Sequence, residues 1–111
     1  MLTDGKEKRD FLYSEDCCAG LELIMDNYNY YKKEKEIHLT TTNFTSIIEI
    51  ANIIKKEFLK QGINVKIIKS KKKDTLQFNQ QNKANKFFLK YWKPKYSLKE
   101  GISEIISFYL K

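Results

Sequence analysis

The sequence predicts one α/β domain with about three short strands and four helices. Runs rich in β-branched and aromatic residues alternate along the chain with segments whose apolar residues recur at helical spacing. The composition agrees, because 111 residues suit one domain and 41% hydrophobic residues are enough to build a core. We therefore expect short strands and amphipathic helices to follow one another along the chain.

The first strand is predicted at 10–13, DFLY, and the first helix from about 15 to 27. Ser14 offers a side-chain oxygen as an N-cap, while Glu15 and Asp16 bring carboxylates to the positive end of the helix dipole. The apolar positions of this helix fall on one stripe, which contains Cys17, Leu21, Ile24 and Tyr28.

A polar loop over 26–36 leads to a second predicted strand at 37–41, IHLTT. The helix after it has the clearest start, because SIIE is a capping box in which Ser46 bonds forward and Glu49 reaches back. Its apolar residues keep helical spacing, and Gly62 stands where a left-handed C-cap residue is expected.

INVKII at 63–68 is rich in β-branched residues and predicts the third strand, followed by a charged loop at 70–74. A third helix is predicted at 80–92, and Pro94 ends it. SLKE at 97–100 repeats the capping box and begins a final helix, whose apolar side contains Leu98, Ile102, Ile105, Ile106 and Tyr109.

The net charge of +7 raises nucleic acid or a membrane surface as partners. The lysines are dispersed over every segment, however, and abundant Lys, Ile and Asn beside scarce Arg, Gly, Pro and Ala resemble the codon bias of an AT-rich genome. We interpret the lysines as a solvated surface and do not expect nucleic acid to be the partner. The sequence has neither a transmembrane run nor a signal peptide, so we expect a cytoplasmic protein without a membrane partner.

The residues suggest no catalytic or metal site. Cys17 and Cys18 are adjacent, without the CxxC spacing of a metal ligand pair, and His38 has no nucleophile close to it in sequence. The chain has no glycine-rich loop that could cradle a phosphate.

Anion binding is the better hypothesis. Arg9 is the only arginine among 21 basic residues and stands beside Lys6 and Lys8. A guanidinium can hold two phosphate oxygens at once, which an ammonium cannot do. A second cluster, 71–73, follows the third predicted strand. From these residues alone, an arginine that pairs with a neighbouring carboxylate stays open as the alternative.

Several blocks of the sequence resemble the C-terminal part of the NAD-dependent nucleotide-sugar epimerases and dehydratases, the extended short-chain dehydrogenase/reductase family. GKEKRDFLYSEDC is similar to the family's G-x-x-x-R-D-[FY]-x-[YH]-x-x-D block, matched by Gly5, Arg9, Asp10, Phe11, Tyr13 and Asp16. IHLTTTNFTSIIEIANII resembles the strand, loop and helix that follow, and KKKDTLQF resembles the R-x-G-D loop. YWKPKYSLKEGISEIISFY is similar to the terminal G-W-x-P-x-[TS]-L-E-E-G-[IL] block, matched by Trp92, Pro94, Ser97, Leu98, Glu100 and Gly101.

The resemblance covers nearly the whole chain and implies that residues 1–111 form a partial domain, the substrate-binding portion of such an enzyme. It implies that Arg9 contacts the nucleotide diphosphate of a nucleotide-sugar substrate. Lys72 or Lys73 lies in the region of the R-x-G-D arginine and is implied to do likewise. NAD(P) is the cofactor expected of the full-length enzyme.

The sequence lacks the Rossmann half with its glycine-rich turn, so we expect no cofactor bound by this chain alone and no activity alone. Expected partners are a nucleotide sugar and either a Rossmann-domain partner or a second copy of the chain. Whether the chain is a truncated gene product, a separate subunit or an excised piece stays open, as does the choice between epimerase, dehydratase and decarboxylase.

The sequence departs from the family pattern at three places. The Asn-x-Gly-x-Gly segment corresponds to 38–42, which has no glycine, lysine replaces arginine in the later loop, and Tyr91 stands where glycine usually precedes Trp92. The YxxxK spacing of the family's catalytic pair occurs in a Tyr-, Asn- and Lys-rich loop, at Tyr28–Lys32 and Tyr31–Lys35, and we assign these pairs no role.

Two other functional hypotheses stay open. The first is a small basic α/β module that binds nucleic acid or another acidic partner, with an affinity that falls steeply with salt. The second is a degenerate remnant that folds without a function. In a complete enzyme the strand at 37–41 would pair with the Rossmann sheet, so we expect its exposed edge to produce a dimer or aggregate.

Overall fold

The α/β class is confirmed in the structure, a computed structural model that describes residues 1–72 and 84–111. Three of the predicted helices are found in these residues, and a fourth α-helix, Tyr28–Tyr31, lies in the segment predicted to be a polar loop. Within these residues the sheet has two strands rather than three. The elements, in chain order, are β1 (Lys8–Asp10), α1 (Ser14–Asp26), α2 (Tyr28–Tyr31), β2 (Phe44–Ser46), α3 (Ile47–Lys60), a 3₁₀ helix (Phe87–Lys90) and α4 (Leu98–Tyr109).

The sheet is an antiparallel pair in which Arg9 lies opposite Thr45. The strand predicted at 10–13 is therefore wrong in its bounds, because β1 takes Lys8–Asp10 and only one residue of DFLY belongs to it. Arg9 consequently occupies the middle of β1 rather than the position before a strand.

The strand predicted at 37–41 is also wrong, so no strand edge is exposed there. The hydroxyls of Thr40 and Thr41 donate to the Asp10 carboxylate, and the Thr41 amide does so at 3.2 Å. Thr42 then has a φ of 59°, which ends any extended conformation. The apolar side chains of this segment pack on the core, but its backbone binds a carboxylate instead of a ladder partner.

The segment 63–68 forms no strand either. Its end and the loop after it are joined to the N-terminal segment by three hydrogen bonds, from the Met1 amine to Ile68, from Ser70 to Thr3, and from Asp4 to Lys72. These bonds are unevenly spaced and do not make a regular ladder.

The first two long helices agree with the sequence except at one cap. α1 matches the predicted bounds within a residue, but Tyr13, not Ser14, occupies the N-cap and makes no side-chain cap bond. The helix begins one residue earlier than expected, which places Ser14 in its first turn. The capping box of α3 is confirmed, with Ser46 and Glu49 bonded reciprocally, and Gly62 has the expected left-handed φ of 79°.

The helix predicted at 80–92 is wrong over its described part. Residues 84–86 are not helical, the 3₁₀ helix covers only Phe87–Lys90, and 80–83 lie outside the described residues. The Asn85 side chain accepts from the Phe87 amide at 2.9 Å and so replaces a helical bond. In α4 the Ser97 half of the capping box is present, while Glu100 bonds the Ser97 hydroxyl instead of its amide.

The described elements form a thin layer. The molecule measures 49 × 37 × 16 Å, and its radius of gyration of 16.6 Å exceeds the roughly 13 Å of a compact domain of similar length. The main core cluster consists of Tyr31, Phe88 and Trp92, while α3 packs against α4. Many large apolar side chains stay exposed, among them Leu2, Met25, Ile68, Phe108 and Tyr109. One layer of this thickness leaves apolar faces uncovered.

Candidate functional site

A buried carboxylate joins the two ends of the chain. Asp16 lies in the first turn of α1 and is 3% exposed. Its two oxygens accept backbone hydrogen bonds from Lys95 at 2.9 Å and from Tyr96 at 3.0 Å. These bonds fix the turn that follows Pro94 and delivers the chain to α4. The Asp16 carboxylate thus binds backbone amides and is not exposed to solvent.

Two glycines allow further close contacts between the same regions. A Cβ added to Gly101 on α4 would lie 2.9 Å from Cδ2 of Tyr13, at the N-cap of α1. A Cβ added to Gly20 on α1 would lie 2.7 Å from Cδ2 of Leu39 and 3.2 Å from Cε2 of Trp92. Real side chains do not approach this closely, so a Cβ at either position would force the neighbouring side chain or the helix to move.

A cavity of about 740 Å³ lies beside this junction. Its apolar lining comes from the segment after β1 and from α4, including Leu12, Tyr13, Leu98 and Ile102. Its polar lining comes from Thr41, Thr42 and Asn43, in the loop before β2, and from Thr45 in β2. A lining that combines apolar side chains with hydroxyls and an amide suits a ligand or partner segment with both apolar and hydrogen-bonding groups.

Two tyrosine rings on the wall lie close together. The centroids of Tyr13 and Tyr96 are 4.6 Å apart. Burial raises the pKa of Tyr13, and the nearby carboxylates of Glu15 and Glu104 raise it further. A hydrogen bond with Glu15 raises the pKa of Tyr96. Both phenols are therefore neutral at physiological pH and act as hydrogen-bonding groups rather than as bases.

Arg9 lies on β1, next to the strand β2 that contributes a residue to this cavity. It is half-buried in β1, and Thr45, the residue paired with it, lines the cavity. Asp10 binds the segment 40–42, which we call the threonine loop, from one face of the sheet. Because neighbouring residues of a strand point to opposite faces, Arg9 is directed toward the other face. Among the described residues, neither Arg9 nor Lys72 is part of the cavity wall.

Lys72, the second predicted site residue, is connected through its backbone to the segment before β1. The carbonyl of Lys72 accepts from the Asp4 amide at 2.8 Å, which ties the lysine loop to the segment entering β1. Lys72 is exposed. Lys73, the third predicted site residue, lies outside the described residues.

In the described ranges, 1–72 and 84–111, no group of three or more His, Cys, Asp and Glu side chains could hold a metal ion. His38 is instead used structurally, because its Nδ1 accepts from the Asn85 amide at 3.0 Å and its Nε2 bonds Glu36 at 2.5 Å. Cys17 is half-buried and Cys18 exposed, both as free thiols.

Sequence reasoning missed the cavity and the network around Asp10. The sequence suggests Asp10 as a member of a motif and as a local partner of Arg9, although a run of three threonines at 40–42 offers a dense set of hydroxyl donors. The partners of those donors lie 30 residues away in the chain, so no local pattern pointed to the contact.

Comparison with known proteins gives no match: no family model, no curated protein and no solved structure matches this chain. In the part of the chain that the structure describes, there is no helix with the length and apolar character needed to cross a bilayer.

Proposed function

We propose that this chain is the substrate-binding C-terminal portion of an NAD(P)-dependent nucleotide-sugar epimerase or dehydratase, with Arg9 contacting the diphosphate. One observation carries the proposal. Tyr13, which matches the first family-like block, contacts Gly101, which matches the last one. Asp16 of the first block binds the amide of Tyr96, which lies within the last block but is not a matched position. Two blocks that resembled a family by chance would not need to contact each other.

The backbone of the threonine loop supports the same resemblance. Thr42 falls on the second glycine of the Asn-x-Gly-x-Gly pattern, and its φ of 59° is the left-handed conformation that favours glycine. A β-branched residue rarely adopts this conformation. The position thus keeps the backbone that a glycine would suit, although the glycine itself is absent.

The thin shape supports an incomplete domain. A layer 16 Å thick with exposed side chains such as Leu2 and Phe108 suits a portion that packs against a second body. The resemblance assigns that role to a Rossmann-domain partner, which would supply the NAD(P) site and the catalytic Tyr/Lys pair. The chain alone is then expected to bind the diphosphate weakly and to catalyse nothing.

The proposed diphosphate contact uses the chemistry of the guanidinium. Arg9 can present two parallel N–H donors to two phosphate oxygens, and each such charge-assisted bond is stronger than a neutral one. Lys72, in a loop tied to the segment before β1, would add a single ammonium charge. Since lysine acts as a point charge, we assign the geometric selectivity to Arg9.

A titration of the full chain with UDP-, GDP- and dTDP-sugars, followed by amide NMR shifts, tests the proposal. We expect shifts at β1 and in the loop around Lys72, with weak affinity for at least one of the nucleotide sugars. Arg9→Lys keeps the charge and removes the fork, and should weaken binding about tenfold, equivalent to about 1.4 kcal/mol. The matched control is Lys8→Ala, which removes a charge at the exposed neighbouring position and should change binding less than twofold.

Two results would contradict the proposal. One is the absence of any shift with all three classes of nucleotide sugar, both for the chain alone and for the chain mixed with a Rossmann-domain partner. The other is the reverse order of the variants, with Arg9→Lys neutral and Lys8→Ala weaker, because a diffuse basic surface responds to net charge and not to geometry.

A further inference from the structure

Three aromatic rings form a surface where α2 meets the 3₁₀ helix. We call Tyr30, Tyr91 and Phe87 the aromatic platform. The centroid of Tyr91 is 5.7 Å from that of Tyr30 and 5.6 Å from that of Phe87. The hydroxyls of the two tyrosines are 2.6 Å apart, which links residues 61 positions apart in the chain. Tyr30 and Tyr91 remain 47% and 42% exposed, so their rings reach solvent.

The platform rests on the best-packed part of the molecule. Tyr31 and Phe88 lie beneath it, 4% and 0% exposed, with their ring centroids 5.3 Å apart. Tyr31 also meets Tyr91 edge-to-face at 5.5 Å. Rings held from below and joined through their hydroxyls lose little conformational freedom when a ligand arrives. The rings are inclined to one another, by 75° for Tyr30 with Tyr91 and 62° for Phe87 with Tyr91, so each ring held in this way offers its own face to a separate base.

Positive charge surrounds these rings. The Nζ of Lys33 lies over the Tyr30 ring, 5.0 Å from its centroid, and the Nζ of Lys90 lies over the Phe87 ring, 5.7 Å from its centroid. A base that stacks on either of these faces would displace the ammonium group, whose flexible side chain can then reach the adjoining phosphate. The segment 84–96, which supplies two of the three rings, contains four lysines and no carboxylate. The segment 32–36, beside the third ring, contains three lysines and two glutamates. The excess of lysines over carboxylates in these two segments favours a ligand that carries negative charge.

We propose that the aromatic platform binds unpaired bases of single-stranded nucleic acid. Every nucleobase has a π-face that can stack on an exposed tyrosine, and the phosphates on either side of a stacked base would pair with Lys33 and Lys90. An apolar partner would use the rings but gain nothing from the ammonium groups. Tyr91 is also the position where the chain departs from the family-like glycine, so the platform belongs to this chain and does not depend on the proposed function.

Fluorescence anisotropy of labelled oligo(dT) and oligo(U) with the full chain tests this inference and separates DNA from RNA. Tyr30→Ala should weaken binding about fivefold or more, the loss of one stacked base. Tyr109→Ala is the matched control, because Tyr109 is 77% exposed and pairs with another ring, yet lies on α4. It should leave the affinity within twofold. Tyr30→Leu keeps an apolar side chain and removes the π-face, so it decides the question if Tyr30→Ala unfolds the chain, and it should weaken binding as Tyr30→Ala does.

The charges are tested by paired lysine variants. The double variant Lys33→Gln, Lys90→Gln should make the decrease of log K with log salt less steep by about 1.4. This is the contribution of two phosphate contacts on a single strand, each of which releases counterions. Lys55→Gln with Lys56→Gln removes the same charge from the exposed face of α3 and should leave the slope unchanged. Equal effects of the two lysine pairs, equal effects of the two alanine variants, equally tight binding of duplex DNA, or no binding at low salt would each overturn the proposal.

Discussion

The backbone amide of Tyr96 donates a 3.0 Å hydrogen bond to the carboxylate of Asp16, 80 residues earlier in the chain. The second oxygen of the carboxylate accepts from Lys95, so two amides of one turn depend on one buried side chain. This junction brings the first helix to the beginning of the last one. The stability of the fold should therefore be most sensitive to changes at this point.

Asp16→Asn should lower the free energy of unfolding by about 2 kcal/mol. Asparagine keeps one oxygen acceptor but turns an NH₂ group toward the second amide, which is left buried without an acceptor. Urea denaturation measures the loss. Asp26→Asn, an exposed change at the last residue of α1, serves as the control and should stay within about 0.5 kcal/mol. Equal losses in both variants would show that the buried junction is not formed in solution.

Gly101→Ala should destabilise the chain by about 1–3 kcal/mol, although alanine favours a helix over glycine by about 1 kcal/mol. The added Cβ would lie 2.9 Å from the ring of Tyr13, so the ring or α4 must move. Thermal unfolding followed by circular dichroism measures the change.

A double-mutant cycle isolates the cause. In a Tyr13→Leu background the crowding ring is gone, so Gly101→Ala should be neutral or stabilising. Simple additivity of the two changes would contradict the contact between Tyr13 and Gly101.

The three long helices, α1, α3 and α4, were predictable because their signals are local. The capping box of Ser46 and Glu49 and the left-handed Gly62 both lie within the segments that they delimit, and both are found as predicted. The resemblance also selected Asp16 and Gly101, residues whose side chain or lack of one makes the junction between the chain ends. Residue types with special chemistry thus carried information about tertiary contacts.

The strands were not predictable in the same way, because a strand forms only by pairing with another strand, and the local sequence does not identify that strand. The pattern of 37–41 suggested a strand, yet its backbone binds the side chain of Asp10. The aromatic platform was missed for the same reason, since Tyr30 and Tyr91 meet only after the chain has folded. Arg9 was singled out by its chemistry, but its place in the middle of β1 followed from the pairing with β2.

Acid should weaken the start of α3 through Glu49. Hydrogen bonds from the amide and hydroxyl of Ser46 hold the pKa of Glu49 below its ordinary value of 4.5. A lowered pKa in the folded state contributes stability that is present above 4.5 and is lost as the pH falls through the folded value. Urea midpoints measured from neutral pH downward should therefore fall below pH 4.5 less steeply in Glu49→Gln than in the original chain.

The matched control for this titration is Glu22→Gln, an exposed change on α1 that should leave the acid slope unaltered. Ser46→Ala removes the cap itself and should destabilise the chain by about 1 kcal/mol at neutral pH. It should flatten the acid slope less than Glu49→Gln does, because the backbone amide of residue 46, the larger cause of the lowered pKa of Glu49, is still present. An unchanged slope in both capping-box variants would mean that the reciprocal bonds do not persist in solution.

Thr42→Gly should stabilise the chain, which is unusual for a change that removes a side chain. The φ of 59° costs a β-branched residue about 1–2 kcal/mol, and glycine adopts it without strain. The larger conformational freedom of glycine in the unfolded chain offsets about 0.5–1 kcal/mol of this gain. The expected net increase in the free energy of unfolding is roughly 0.5–1 kcal/mol, measured by urea denaturation.

Two variants separate backbone strain from the loss of the side chain. Thr42→Ala also removes the hydroxyl that bonds the Thr41 carbonyl at 2.6 Å, but it keeps a Cβ and therefore the strain, so it should give no gain. Thr45→Gly removes a β-branched residue from an ordinary strand position and should destabilise by about 1 kcal/mol. If Thr42→Gly proves no more stable than Thr42→Ala, the backbone at this position is not left-handed in solution. The proposed function would then lose the support that the glycine pattern gives it, while the junction of Asp16 with Tyr96 would be unaffected.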